Sequence, residues 1–211
     1  MIELGRKQAL MVVKKTEFGV YLGTEDDKVL LPAKYADPDI EEGDSMTVFV
    51  YRDSKDRLIA TTLEPLITLG EVKPLKVKQL TKIGAFMDWG LEKDLLLPFS
   101  EQTSRVEEGR TYPVALYIDK SDRLCATTKI YPYLKTTDAY HTGDGVKGTA
   151  YEYIEKFGMF VAIDNMYQGL IPKKALYGRI RIGDEVKATV SKVQPDGKIE
   201  LALRAPAYLQ I

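Results

Sequence analysis

A ten-residue string that occurs twice is the strongest constraint on this chain. Residues 53–62 read DSKDRLIATT and residues 119–128 read DKSDRLCATT, 66 positions apart. Extending the comparison outward, in search of a period, shows that the match belongs to a longer unit. Arg57 lies fourteen residues after Gly43 in EEGD, and Arg123 fourteen after Gly109 in EEGR. Eleven residues before each glycine a proline closes the string LLP, at Pro32 and Pro98. Further upstream stand TEFGVYL (16–22) and TKIGAFM (81–87), and each unit opens on a glycine, Gly5 and Gly70. A third, more diverged copy has EKFGMFV (155–161), GLIP ending at Pro172, Gly183 eleven residues on, and DGKIELAL (196–203) in place of the final string. The chain therefore divides into domains at 1–66, 67–134 and 145–206, with the polar segment 135–144 as a linker. Each unit has roughly 60 residues, near the lower limit for a domain that folds alone.

The pattern within a unit is all-β. In the third, VKGTAYEYIEK (146–156) alternates polar and apolar residues, MFVAID (159–164) follows a Phe-Gly turn, and QGLIP (168–172) is a short third strand. EVKATVSKV (185–193) alternates cleanly, and KIELALR (198–204) follows a Pro-Asp-Gly turn. Only about one helical turn fits between Pro172 and Gly183. Five short strands with one turn between the third and fourth predict a small closed barrel, since closure removes exposed sheet edges. The expected fold is all-β: three tandem five-stranded antiparallel barrels.

Composition narrows the function. A single cysteine, Cys125, excludes a disulfide framework and makes a reducing compartment the default. The opening MIELGRKQAL lacks the apolar core of a signal peptide, and no stretch approaches the ~20 apolar residues of a membrane span. A soluble, cytoplasmic, monomeric protein without membrane contact is expected. Catalysis finds no support. His141 is the only histidine and lies in the polar linker, and Cys125 stands where the first unit has Ile59, as a core filler would. No Cys/His cluster is available for zinc, and KTTDAYHTGDGVKG lacks the Gly-Lys-Ser/Thr ending of a phosphate loop. No enzyme activity, cofactor or metal is expected. Charge differs between units: residues 1–66 hold 9 basic and 13 acidic side chains (net −4), residues 67–134 hold 10 and 9 (+1), and residues 135–211 hold 11 and 9 (+2).

The order of these signals resembles the S1-type RNA-binding domain, an OB-fold barrel. An alternating strand leads to Phe-Gly-x-Phe, then Gly-Leu-Ile, Gly-Asp-x-Val and Asp-Gly-Lys-Ile, as in VKGTAYEYIEKFGMFVAIDNMYQGLIP and IGDEVKATVSKVQPDGKIELALR. Units one and two look like diverged copies. The tandem of three is similar to the conserved virulence factor B family of bacterial RNA-binding regulators. Members of that family usually carry a winged-helix domain after the third barrel, for which the 211 residues here hold no segment.

The resemblance implies single-stranded RNA on one barrel face. Its paired aromatics fall at Phe157 and Phe160, and at Phe18 and Tyr21. In unit two Ile83 replaces the first, leaving Phe86. Pro32, Pro98 and Pro172 occupy a place where the family often has histidine, a departure from the pattern. Its acidic and basic pair falls at Asp53 and Arg57, at Asp119 and Arg123, and at Gln194 and Lys198. Physics agrees with the resemblance. Glycine permits a bulge that resets strand alternation, so aromatics three apart can share a face. Bases stacking on such a platform contribute ~1–3 kcal/mol each. The cluster Lys173, Lys174, Arg179 and Arg181 would flank the platform and hold phosphates.

Bland readings stand beside these. The aromatics could fill cores, the basic cluster could be a solvated face, and Arg57 and Arg123 could serve only to build hairpin turns. Trp89 in MDWG reads as a loop aromatic that solvent could reach. For the whole chain three functions remain open: non-catalytic RNA binding; a scaffold docking to the ribosome, RNA polymerase or a nuclease, which the acidic first unit favours; and the accessory part of an RNA-processing enzyme.

Overall fold

The computed structural model describes residues 1–204; the expected end of the third unit, at residue 206, lies outside the described residues. Each repeat yields the same five strands. The first has β1 (Lys7–Thr16), β2 (Gly19–Gly23), β3 (Lys28–Pro32), β4 (Ser45–Arg52) and β5 (Leu58–Thr61). The second has β6 (Val72–Leu80), β7 (Gly84–Asp88), β8 (Leu95–Pro98), β9 (Thr111–Ile118) and β10 (Leu124–Thr127). The third has β11 (Gly145–Ile154), β12 (Gly158–Ile163), β13 (Tyr167–Pro172), β14 (Glu185–Val193) and β15 (Ile199–Leu203). The expected single helical turn after the third strand is a 3-10 turn at Ala33–Tyr35, Phe99–Glu101 and Lys173–Ala175.

The first and third units close into barrels in the order one-two-three-five-four. Closure corrects one expectation, because the barrels are not wholly antiparallel. Strand three runs parallel to strand five, through Leu30↔Ile59 in the first unit and Leu170↔Glu200 in the third. A ring of five strands cannot alternate direction all the way round, so one pairing must be parallel. In the second unit β8 and β10 form no ladder, and the sheet is nearly closed. Beside that seam Glu101 accepts from Thr127 Oγ1 through its carboxylate (2.8 Å) and from the Thr128 amide through its carbonyl (2.9 Å).

The Phe-Gly glycines work differently from the expectation. The bulge lies on the first strand of each unit, between Val12 and Lys14, Val77 and Gln79, and Ala150 and Glu152. The glycine that opens β12 instead allows close approach. Gly158 (φ 129°) pairs with Pro172, and a β-carbon there would collide with the Ile171 carbonyl.

Trp89 also departs from its reading as a reachable loop aromatic. It is 2% exposed and meets Phe49 edge-on at 5.8 Å and Tyr51 at 6.1 Å, both on β4 of the first barrel. Its indole N–H donates to the Lys93 carbonyl (2.6 Å). One continuous apolar core therefore runs from Phe49 and Tyr51 into the second barrel. A second core joins barrels two and three, with Val72, Ala115, Ile130 and Leu134 on one side and Tyr151 and Ala162 on the other. The polar linker is laid onto the third barrel rather than hanging free. The Lys135 amide donates to the Met166 carbonyl (2.7 Å), and the Gln168 amide to the Lys135 carbonyl (3.0 Å). Tyr140 packs on Tyr167 and donates to Asp164 (2.6 Å). His141 is exposed in this linker. Cys125 is buried, and its thiol is pushed up to about 12, chiefly by burial and then by the nearby Asp119 carboxylate.

Candidate nucleic-acid interface

A cleft of about 730 Å³ opens on the third barrel, across β11, β12, β13 and β15. At its mouth Phe157 is 47% exposed, which removes the core reading for that ring. Phe160, half-buried, lies 6.2 Å from Phe157 with the rings at 77°. It also meets Tyr131 edge-on (5.9 Å, 88°) and Tyr151 obliquely (6.2 Å, 50°). The Lys156 ammonium sits 5.6 Å from the Phe157 centroid, and that of Lys198 5.7 Å from the Tyr131 centroid. Such cation–π contacts contribute roughly 0.5–1 kcal/mol at exposed sites. The walls also carry Glu152, Asp196 and Glu200. Phe157, Phe160 and Lys198 are thus brought together around one cleft.

The remaining candidates lie elsewhere. Lys173 pairs with Glu155, and Lys174 and Arg179 are exposed beyond the cleft lining. Arg181 faces the second barrel, where it pairs with Glu107, while Arg110 reaches Asp184 at 2.8 Å. The Glu107 carboxyl is held below its usual range, first by Arg181 and then by Arg110. This places Arg181 in an ion cluster at the junction of barrels two and three. In the first barrel Phe18 is 71% exposed and Tyr21 half-buried, with Lys28 5.9 Å from the Tyr21 ring. In the second, Phe86 is half-buried and Ile83 60% exposed.

Arg57 and Arg123 belong to two hairpins that contact each other. Arg57 bonds Asp53 within its own turn (3.0 Å), whereas Arg123 crosses to Asp56 of the first barrel (2.8 Å). Arg52 returns the contact by donating to the Asp122 carbonyl (2.7 Å). The duplicated string therefore builds two turns that brace each other.

Sequence reasoning missed Tyr131, Glu152 and Glu200. Tyr131 lies in the YPYL segment after the last strand of the second unit, where the other units have no matching aromatic, so no period points to it. Glu200 lies where the first unit has Ile59 and the second Cys125, and divergence at that position was its only signal.

Three serial barrels of this topology, with an aromatic cleft on one of them, define a tandem OB-type protein. Comparison with known proteins agrees. The S1 domain model matches residues 4–63 and 69–129, and the S1 RNA binding domain model matches residues 140–204. The chain belongs to the S1 domain family. It is 29% identical over 209 residues to the uncharacterized protein YitL of Bacillus subtilis (strain 168), covering 94% of this chain and 70% of that one. Among solved structures it resembles a multidomain protein with nucleic acid binding domains from Streptococcus pneumoniae TIGR4. That match has a TM-score of 0.63 and 20% identity, covering 96% of this chain and 74% of the other. Among the described residues no helix is long and apolar enough to cross a membrane, and no group of three or more His, Cys, Asp or Glu could hold a metal ion.

Proposed function

We propose that the third barrel binds single-stranded RNA without catalysis, taking bases into the Phe157–Phe160 cleft. The observation that carries this is an exposed aromatic pair lining a cleft in the segment matched by the S1 RNA binding domain. Glu152, Asp196 and Glu200 make the cleft a poor home for phosphate, so bases enter and the backbone runs outside, toward Lys156, Lys173 and Lys174. On this reading the chain is a bacterial, cytoplasmic, monomeric post-transcriptional regulator resembling conserved virulence factor B. Stacking tolerates any base, so sequence preference is modest. Arg181 contributes to the barrel junction rather than to phosphate contact.

A fluorescence anisotropy titration with a labelled ten-nucleotide single-stranded RNA of random sequence tests the reading. Phe157→Ala/Phe160→Ala weakens binding about tenfold or more, by loss of stacking on two rings. Affinity falls steeply with added salt. Affinity unchanged by the double substitution, or indifferent to salt, would overturn the mechanism.

A second reading concerns the first barrel alone. Its net charge of −4 repels phosphate, and Arg57 is spent on Asp53, while Phe18 stands 71% exposed. That combination suits docking to a basic protein surface such as the ribosome, a polymerase or a nuclease.

A further inference from the structure

We infer that Tyr131, which lies outside every S1 match, is the third stacking residue of the RNA cleft, so that the site is shared between barrels two and three. The inference rests on the RNA reading above and goes beyond it. The domain matches end at residue 129 and resume at residue 140, and Tyr131 falls in the gap. It opens the 3-10 turn Tyr131–Tyr133, directly after the second barrel.

Three observations carry the assignment. The ring lines the cleft and meets Phe160 in a T-shaped contact (5.9 Å, 88°), which covers at most one face of either ring and so leaves a face of Tyr131 for a base. Lys198 lies beside the same ring, 5.7 Å from its centroid, and so places a cation next to the stacking residue, where a nucleotide backbone would pass. The turn is also held rigidly in place. The Gln168 side-chain amide of the third barrel donates to the Tyr131 carbonyl (3.3 Å) and to the Leu134 carbonyl (3.4 Å). Ile130 and Leu134, flanking the turn, are buried in the core shared by barrels two and three. A ring fixed before binding loses little entropy when a base arrives, so its stacking energy is expressed as affinity. The ligand class follows from the walls. Among the described residues Lys198 is the only Lys or Arg on the cleft lining, against Glu152, Asp196 and Glu200, so the pocket takes an unpaired base and leaves phosphates outside.

The test uses the full 211-residue chain and the same random-sequence ten-nucleotide RNA. Tyr131→Phe keeps the ring, Tyr131→Leu keeps apolar bulk against Phe160 but no π face, and Tyr131→Ala removes both. The expected pattern is wild-type affinity for Tyr131→Phe and about tenfold weaker binding for both Tyr131→Leu and Tyr131→Ala. Restoration by leucine would make Tyr131 a mere buttress of Phe160 and overturn the inference. So would affinity unchanged in all three variants while Phe157→Ala/Phe160→Ala binds weakly, an outcome that leaves the RNA reading standing. A wild-type chain that binds no RNA at low salt overturns both. As a second readout, photo-crosslinking of 4-thiouridine RNA followed by peptide mass spectrometry should place an adduct on the peptide containing Tyr131. Adducts at Phe157 and Phe160 with none there would count against it.

Discussion

At Gly158 the backbone turns to φ 129°, and a β-carbon would run into the Ile171 carbonyl and the Lys173 amide. No rotamer relieves the clash, because the obstructing atoms are main chain. The close approach of β12 to β13 matters beyond local packing. Phe157 precedes this glycine and Phe160 follows it by two, so the separation of the aromatic pair depends on it. Gly19 and Gly84 hold the same place in the other barrels, with φ of 144° and 150°. Gly158→Ala should therefore cost about 2–3 kcal/mol of stability, from left-handed strain and forced separation of the strands. A guanidinium titration followed by circular dichroism checks this, and an unchanged midpoint would contradict it. RNA affinity should fall in the same variant, since both rings shift with the strand pair.

At the scale of the element, the duplicated hairpins show how turn chemistry is written locally. Asp53 Oδ1 accepts from the amides of Lys55 (2.9 Å) and Arg57 (3.0 Å), and Asp119 Oδ1 from those of Ser121 (2.8 Å) and Arg123 (3.0 Å). Asp56 and Asp122 then take left-handed φ of 61° and 58°, which a short polar side chain tolerates. Burial works to raise the Asp53 pKa, but the Arg57 and Lys55 amides and the Arg57 guanidinium outweigh it, and the carboxyl sits below its usual value. A depressed carboxyl stabilises the fold above its unfolded pKa, and that contribution fades as pH falls through the folded pKa. Asp53→Asn should thus lose about 1–2 kcal/mol at neutral pH. The gap from wild type should narrow on acidification below the ordinary carboxylate range, as thermal unfolding at a series of pH values would show. The same locality explains what the sequence made legible. Repeat units, strand count, the 3-10 turn after strand three and both hairpins all rest on contacts within a few residues. The cleft was legible as far as Phe157, Phe160 and Lys198, which the S1 pattern places. The partners of Trp89, Arg123, Arg181 and Tyr131 lie in other barrels, and a repeat period carries no information about how one unit packs on the next. The parallel strand pair escaped a strand-by-strand reading because it is a property of the closed ring.

At the scale of the whole molecule, the two junctions divide the labour. Barrels one and two share a core in which Trp89, Phe49 and Tyr51 interlock, reinforced by the braced hairpins and by the Lys34–Glu92 pair. Surface pairs of that kind contribute little, so the aromatic cluster must carry most of the coupling. Barrels two and three meet through a smaller core around Tyr151 and an ion cluster at Glu107, and the cleft opens beside that junction. A change at the first junction should therefore alter folding and leave RNA binding alone. Trp89→Ala tests this separation. Removing the indole leaves a void between two barrels and frees the Lys93 carbonyl of its donor, so a loss of about 3–5 kcal/mol is expected. Because Trp89 is the only tryptophan, the variant must be followed by circular dichroism, against a wild type whose shared core predicts that barrels one and two melt in one step. The expected result is an earlier transition that splits as barrel one uncouples, with RNA affinity unchanged below that transition. A single transition at the wild-type midpoint would show that the hairpins and ion pairs, and not the indole, hold the two barrels together.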